Sequence, residues 1–188
     1  PMSSVKKITL CGVCIALCAV LPPVFHMVGL GSILSPMHIP VLLCGLLCGW
    51  PYGLFCGVAG PLVAHLINGQ PGAAMLVSMI PELAVYGLVC GLLMLLIHTK
   101  NLYADIYCSL VPAMLAGRVV GGAARALFMM GSGESYTLAM WAGAYLVQAV
   151  PGIILHLILV PALVAALSRA GLVPARYPSR ALGEGAAA

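Results

Sequence analysis

Charged side chains are scarce in this sequence. Only 6% of the 188 residues are Asp, Glu, Lys or Arg, whereas a soluble domain typically carries about 25%. Hydrophobic residues make up 63% of the chain, and a water-soluble fold of this length cannot bury so much apolar surface. The composition therefore excludes a soluble domain and indicates an integral membrane protein. The apolar runs are long and continuous, which favours helices over the short alternating strands of a barrel.

The sequence also lacks the short motifs that mark many enzymes and ATPases. It has no GxxxxGK[ST] phosphate loop, no GxSxG nucleophile elbow and no HExxH metal motif. Its eight cysteines lie in apolar runs, where cysteine acts as a small buried hydrophobe. The Cys11 and Cys14 pair has no second pair to complete a metal site. We expect no metal, cofactor or catalytic activity; the alternative is an intramembrane protease or lipid-modifying hydrolase that uses Glu82 with His156 or His65.

Six apolar segments follow one another, at roughly 5–28, 38–50, 52–67, 74–97, 102–130 and 138–168. A span needs about 20 residues, so the second and third segments are short and could merge into one broken helix, giving five spans. With six spans, Lys6, Lys7, Lys100 and the arginines after the last segment share one face, which the positive-inside rule makes cytoplasmic. We expect an all-α membrane domain over 1–170 with six spans and both termini cytoplasmic, and a disordered tail at 171–188.

Glycine recurs every four residues around the second and third segments: Gly45, Gly49, Gly53 and Gly57. Small residues at this spacing let membrane helices pack with their backbones close together. Gly117 and Gly121 repeat the spacing in the fifth segment. Glycine is also simply common in membrane helices, but the regular spacing favours a packing role.

Polar side chains within the segments gather towards one end. A rise of about 1.5 Å per residue places Glu82, Arg118 and Arg125 in the outer half of the bundle. Ionisable groups at such depth are costly and indicate function. The same half holds further side chains of the predicted site: Asn68, Tyr86, Trp141, Tyr145 and Gln148. The inner half has only His156 and His98, near its cytoplasmic end. The sequence predicts a polar cup that opens outward above an apolar plug.

Simpler roles remain open for these side chains. Glu82 and Arg118 have matching depths and could form a structural ion pair. Arg125 could extend to the membrane interface, and Trp141 and Tyr145 could belong to an aromatic belt. These separate explanations do not predict convergence on one pocket.

Three stretches resemble the membrane-embedded S components of energy-coupling factor (ECF) vitamin transporters: PMHIPVLLCGLLCGWPYG (36–53), GPLVAHLINGQP (60–71) and PELAVYGLVCGLL (81–93). LVPAMLAGRVVGG (110–122) fits the same pattern, and the resemblance runs over 5–168. The Pro-Met-His-Ile-Pro-Val string resembles one subgroup, which is associated with pantothenate or pyridoxine.

The resemblance implies an S-component fold of six helices with a substrate site at the outer face. It implies high-affinity capture of a vitamin or related micronutrient for an ABC-type importer in the bacterial cell membrane. The implied partners are a vitamin-like small molecule, membrane lipid, a transmembrane coupling subunit and two ATPase subunits, with no nucleic acid.

In that family the connection between the first two helices closes over the substrate. The resemblance therefore places Met37 and His38 in a gate, which we expect to span Gly29–Pro40. Pro36 and Pro40 deny the backbone a continuous helix, so the segment is expected to stay a shaped loop. The alternative is that His38 caps the second helix.

Small residues on the first helix of the family dock against the coupling subunit. In this sequence Gly12 and Ala16 occupy one face of the first segment. The resemblance implies that they form the docking surface.

Overall fold

The computed structural model describes residues 2–177 of the chain. Within this range the chain is entirely helical apart from its connections. The helices are α1 (Ser4–Met27), α2 (Gly31–Leu34), α3 (His38–Cys48), α4 (Trp50–Asn68), α5 (Ala73–Leu96), α6 (Leu102–Gly131), α7 (Leu138–Ala142) and α8 (Val150–Arg169), with a π-helical turn at Gly143–Val147 between α7 and α8.

Five of these helices are long and apolar enough to cross a membrane: α1, α4, α5, α6 and α8. The six full spans expected from the sequence are not confirmed. α3 has 11 residues, about 16 Å of helix, which is roughly half of a hydrocarbon core about 30 Å thick. The predicted segment at 138–168 is also not one helix, because the π-helical turn separates α7 from α8.

The boundary between α3 and α4 is a reversal of the chain. Gly49 has φ of 97°, a conformation that glycine adopts readily, and Pro51 lies in the first turn of α4, where its missing N–H costs nothing. A methyl carbon added to Gly53 would lie 2.7 Å from Cα of Gly45, so α4 folds back along α3. The alternative of one broken helix over 38–67 is therefore wrong.

The two ends of the described chain lie at the same end of the bundle. The thiol of Cys48 donates to the carbonyl of Lys7, which joins the end of α3 to the start of α1. Arg176, after α8, donates to the carbonyls of Met94 and Ile97 at the end of α5. We call this the basic end, because it carries Lys6, Lys7, Lys100, Arg169 and Arg176. The opposite end, where α1, α4 and α6 finish, is the cavity end.

Residues 171–177 of the predicted tail pack back onto the basic end. Val173 is buried, and Nε of Arg176 lies 2.7 Å from a carboxylate oxygen of the fully buried Asp105. Asp105 also accepts from the backbone N–H of Thr99 at 2.8 Å. This pair fastens the segment after α8 to the connection between α5 and α6. Residues 178–188 lie outside the described residues.

Glycines bring the backbones of α3, α4 and α5 into direct contact. A methyl carbon added to Gly87 would lie 2.0 Å from the carbonyl oxygen of Gly53, and one added to Gly57 would lie 2.3 Å from that of Leu83. One added to Gly91 would lie 2.4 Å from the backbone nitrogen of Trp50. The close approach that the glycine spacing predicts is therefore confirmed for α3 and α4. We call this contact the glycine seam.

Because the atom facing Gly87 is backbone, the seam has no side chain that can move aside. We expect Gly87→Ala to lower the stability of the purified protein by about 1–3 kcal/mol, the usual cost of overpacking. Thermal unfolding in detergent would show a lower Tm. The matched control is Gly12→Ala, since nothing lies within 4 Å of a methyl carbon at Gly12. Equal melting temperatures for the two variants would contradict a rigid seam.

Candidate functional site

A cavity of about 520 Å³ lies at the cavity end, between α1, the α2–α3 connection, α5, α6 and the π-helical turn. Its volume falls in the range of roughly 300–1,000 Å³ that small-molecule sites occupy. Exposed side chains, including Gln70 and Gln148, stand among the lining residues, so the cavity meets the surface at this end.

Seven of the ten residues predicted to bind substrate line this cavity: Met37, His38, Glu82, Arg118, Arg125, Tyr145 and Gln148. The other three lie elsewhere. Asn68 is exposed and donates to the carbonyl of Ala19 on α1. Tyr86 is completely buried behind Glu82. The indole N–H of Trp141 donates to the carbonyl of Arg118 at 3.1 Å, which ties α7 to α6. That the lining residues bind substrate remains a prediction.

The connection before α3 forms part of the cavity wall. Ser35 takes a left-handed conformation (φ 45°), and its carbonyl oxygen lies 3.1 Å from the backbone nitrogen of His38, 3.2 Å from His38 Nδ1 and 3.2 Å from His156 Nε2. Irregular backbone inside a membrane is tolerated where its polar groups have partners or line a cavity. The carbonyl of Ser35 accepts from three donors, so this polar backbone group has its partners.

The expected loop through Pro40 is wrong, because α3 already begins at His38. Pro40 occupies the first turn, where a helix needs no backbone N–H partner. The alternative role of His38 as a helix cap is also wrong, since its side chain bonds back to Ser35 and across to Glu82.

His156 does not lie near the cytoplasmic end, as the depth estimate predicted. Its ring stacks on that of His38, with centroids 5.5 Å apart and planes 19° apart. The estimate counted depth along one continuous α-helix from 138 onward, whereas a π-helical turn over Gly143–Val147 interrupts the α-helix before Val150. The α2–α3 connection also extends into the bundle to meet α8, so that Gly152 packs against the carbonyls of Ile33 and Leu34.

Glu82 is held by two neighbours on the α3–α5 side. The hydroxyl of Tyr86 donates to Oε1 at 2.9 Å, and Nε2 of His38 lies 3.4 Å from the same oxygen. The structural ion pair between Glu82 and Arg118, which the sequence left open as a simpler role, is not formed; within the described residues, the only groups in ion-pair distance of a carboxylate are His38 with Glu82 and Arg176 with Asp105. Two groups of equal depth can still point to different neighbours.

Arg118 is 5% exposed and has a single hydrogen bond among the described residues, from Nη1 to the carbonyl of Tyr145 at 2.7 Å. Its Nε is buried and has no partner. Gly117 and Gly121 on either side leave room for α5, since methyl carbons there would lie 2.0 Å from the ring of Tyr86 and 2.8 Å from Cβ of Glu82. Among the residues that the structure describes, this positive charge at the cavity wall has no carboxylate partner.

The mouth of the cavity carries a second guanidinium and a free phenol. Nη1 of the half-buried Arg125 lies 3.3 Å from the carbonyl of Ala74. The hydroxyl of Tyr136, between α6 and α7, is buried without a partner. Burial raises the pKa of Tyr136, and the charge of Arg125 opposes the rise. Tyr136 therefore keeps its proton at neutral pH and can donate a hydrogen bond into the cavity.

Sequence reasoning missed the thioethers that form much of the remaining wall. Five methionines line the cavity: Met37, already in the predicted site, and Met75, Met79, Met129 and Met140. A helical period could have found three of them. Met75 and Met79 precede Glu82 by seven and three residues and share its face of α5. Met129 likewise follows Arg125 by four residues on α6.

The profile of the family described as "ECF transporter, substrate-specific component" matches residues 6–164. The chain belongs to this family. No curated protein and no solved structure matches the chain in the same comparisons. The chain is therefore the substrate-specific subunit of a transporter, which binds a small molecule and works with the other subunits of an ECF module, and it is not an enzyme. The alternative of a protease or hydrolase is wrong, whereas the Pro-Met-His-Ile-Pro-Val subgroup remains a prediction.

His156 anchors the α2–α3 connection through one hydrogen bond, and this can be tested alone. His156→Phe keeps a ring against His38 but removes the donor to Ser35. We expect faster amide hydrogen exchange over 29–37, measured by mass spectrometry on the purified subunit. The overall Tm should change little, because the substitution also removes the buried, partnerless Nδ1 of His156.

The control for this experiment is His98→Phe, an exposed residue at the basic end. Unchanged exchange over 29–37 in the His156 variant would show that the connection does not depend on this bond.

Proposed function

We propose that this subunit captures a small anionic, vitamin-like molecule in the cavity at the cavity end. The observation that carries the proposal is the buried guanidinium of Arg118, which faces the cavity with no carboxylate partner. A buried charge without a counter-charge is costly. A carboxylate or phosphate on the substrate would supply that counter-charge and accept paired hydrogen bonds from the planar guanidinium.

The remaining lining groups suit an anion with polar substituents on an apolar body. Tyr136 and Gln148 offer hydrogen bonds near the mouth. The thioether side chains form soft apolar walls that adapt to irregular shapes. Pantothenate, with its carboxylate and hydroxyls, fits this arrangement better than pyridoxine. Pyridoxine lacks an anionic group, and Trp141, which could have stacked on its ring, is used to join α6 and α7.

We further propose that the cavity faces the outside of a bacterial cell and that both chain termini are cytoplasmic. The clustering of Lys and Arg at the basic end supports this orientation through the positive-inside rule. The part of the expected gate that precedes α3, residues 29–37, would then act as the gate, because Ser35 and Met37 line the cavity. ATP hydrolysis would come from two separate ATPase subunits acting through the coupling subunit.

Gly12 and Ala16 are proposed to dock against the coupling subunit. Both are exposed on α1, and they line a shallow apolar groove between α1 and α4 that also includes Val63 and Ile67. Small residues on an exposed helix face permit the close approach on which association of membrane helices depends.

The substrate proposal predicts a strong effect at Arg118. Arg118→Lys keeps the charge but loses the planar pair of donors, so affinity should fall more than about tenfold. Arg118→Ala should abolish binding of the anion. A thermal-shift screen of the detergent-purified protein against a vitamin panel that includes pantothenate and pyridoxine identifies the ligand, and calorimetry gives its Kd.

The control is Arg169→Lys, which changes an exposed arginine at the basic end. If a folded Arg118→Ala variant binds the ligand with unchanged affinity, Arg118 is not the anion contact and the proposal fails.

The docking proposal predicts a loss of uptake without a loss of binding. Replacing Gly12 and Ala16 together by leucine should fill the groove and prevent close approach to the coupling subunit. Uptake of labelled substrate by cells should be abolished, while the isolated variant binds with unchanged Kd. The control pair is Val5→Leu with Val13→Leu, exposed on α1 but outside the groove. Normal uptake by the Gly12 and Ala16 variant would place the docking face elsewhere.

A further inference from the structure

We infer that His38 determines the charge selectivity of the cavity by holding Glu82 away from Arg118. This inference rests on the proposed anion site at Arg118 and assigns His38 a positioning role that acts through Glu82. Without that restraint, Glu82 would itself become the counter-ion of Arg118 and occupy the place of the substrate's anionic group.

The hydrogen bonds of His38 define where its protons lie. The carbonyl oxygen of Ser35 only accepts, so Nδ1 of His38 carries a hydrogen directed at it over 3.2 Å. Nε2 and Oε1 of Glu82, 3.4 Å apart, require one further proton between them. That proton belongs either to an imidazolium facing a carboxylate or to a carboxylic acid facing a neutral imidazole. In both forms the pair has no net charge.

The surroundings fix His38 in this position. Its ring lies between two aromatic neighbours, Tyr86 with centroids 5.2 Å apart and His156 with centroids 5.5 Å apart. The hydroxyl of Tyr86 donates to the same oxygen of Glu82 that faces His38. Oε1 therefore has two partners on the α3–α5 side, and both come from buried residues.

Glu82 is also within reach of the helix that carries Arg118. A methyl carbon added to Gly121, one turn along α6 from Arg118, would lie 3.0 Å from Oε2 of Glu82. Glu82 is the sole carboxylate among the lining residues that the structure describes. If His38 released it, an ionised Glu82 would be a buried charge beside an unpaired buried cation, and rotation towards Arg118 would stabilise both.

The other titratable groups around this pair do not offer Arg118 a competing negative charge at neutral pH. They are His26 and Cys18 of α1, Tyr86 of α5, Arg125 of α6, Tyr136 after α6, Tyr145 of the π-helical turn and His156 of α8. Whether the guanidinium of Arg118 stays free to bind an anion therefore depends on where Glu82 is held.

The decisive test combines two substitutions in the full-length purified subunit, with pantothenate and its uncharged alcohol analogue as probes. His38→Phe keeps the aromatic packing but removes the hydrogen bond to Glu82. We expect its affinity for pantothenate to fall about tenfold or more, while affinity for the alcohol changes less. Adding Glu82→Gln should restore pantothenate binding, because a neutral amide cannot neutralise Arg118. His38→Gln, which retains an N–H donor for Glu82, should also bind nearly as the unchanged protein does.

A second readout needs no ligand. Phenylglyoxal modifies guanidinium groups, and an ion-paired arginine reacts slowly. Mass spectrometry should show slower modification of Arg118 in His38→Phe and recovery in the double variant, with Arg125 in the same sample as the internal control. If the phenylalanine variant does not fold, His38→Leu replaces it in both experiments.

The outcomes separate this inference from the proposed function. If Arg118→Ala abolishes pantothenate binding but His38→Phe leaves both affinity and Arg118 reactivity unchanged, the anion site stands and the role of His38 is wrong. If Arg118 reactivity follows the expected pattern while pantothenate fails to bind any variant, the role of His38 stands and pantothenate is not the substrate. Loss of affinity in His38→Phe that Glu82→Gln does not restore would overturn the inference.

Discussion

A guanidinium buried in an apolar bundle without a carboxylate is the constraint on which this architecture depends. Charged groups within a membrane are expensive, and Arg118 is 5% exposed. Two neighbouring residues, Tyr145 and Trp141, hold Arg118 and its helix in place. The π-helical turn presents the carbonyl of Tyr145 to it, and Trp141 fixes its helix to α7. The cavity beside Arg118 leaves space in which a group of opposite charge could complete the pairing.

Glycine has opposite effects at two contacts of α5. Towards the basic end, Gly53 and Gly87 remove the space between helices, so that backbones touch and the interior is closed. Nearer the cavity, Gly117 and Gly121 admit the side chains of Tyr86 and Glu82 against α6. The same small residue therefore closes the contact between α4 and α5 and accommodates polar side chains between α5 and α6.

Composition and spacing predicted the helical membrane class and the gathering of polar groups at one end, and together with the family resemblance they predicted seven of the residues that line the cavity. These features follow from local properties of the sequence, such as hydropathy and helical period. The errors share one cause, which is that they depend on how the chain departs from regular helix. The depth of His156 was mispredicted because helical periodicity in the sequence does not reveal the π-helical turn or the α2–α3 connection. The contact between His38 and Glu82 was missed because His38 reaches Glu82 from a helix that starts halfway along the bundle.

The half-length of α3 has a consequence for how the cargo crosses the bilayer. The α2–α3 connection, which is irregular backbone, reaches into the half that holds the cavity, whereas α3, α4 and α5 in the other half are closed by backbone-to-backbone contact. Opening a passage through that closed half would require separating helices that touch along their glycines. These backbone contacts therefore make the subunit on its own poorly suited to act as a channel.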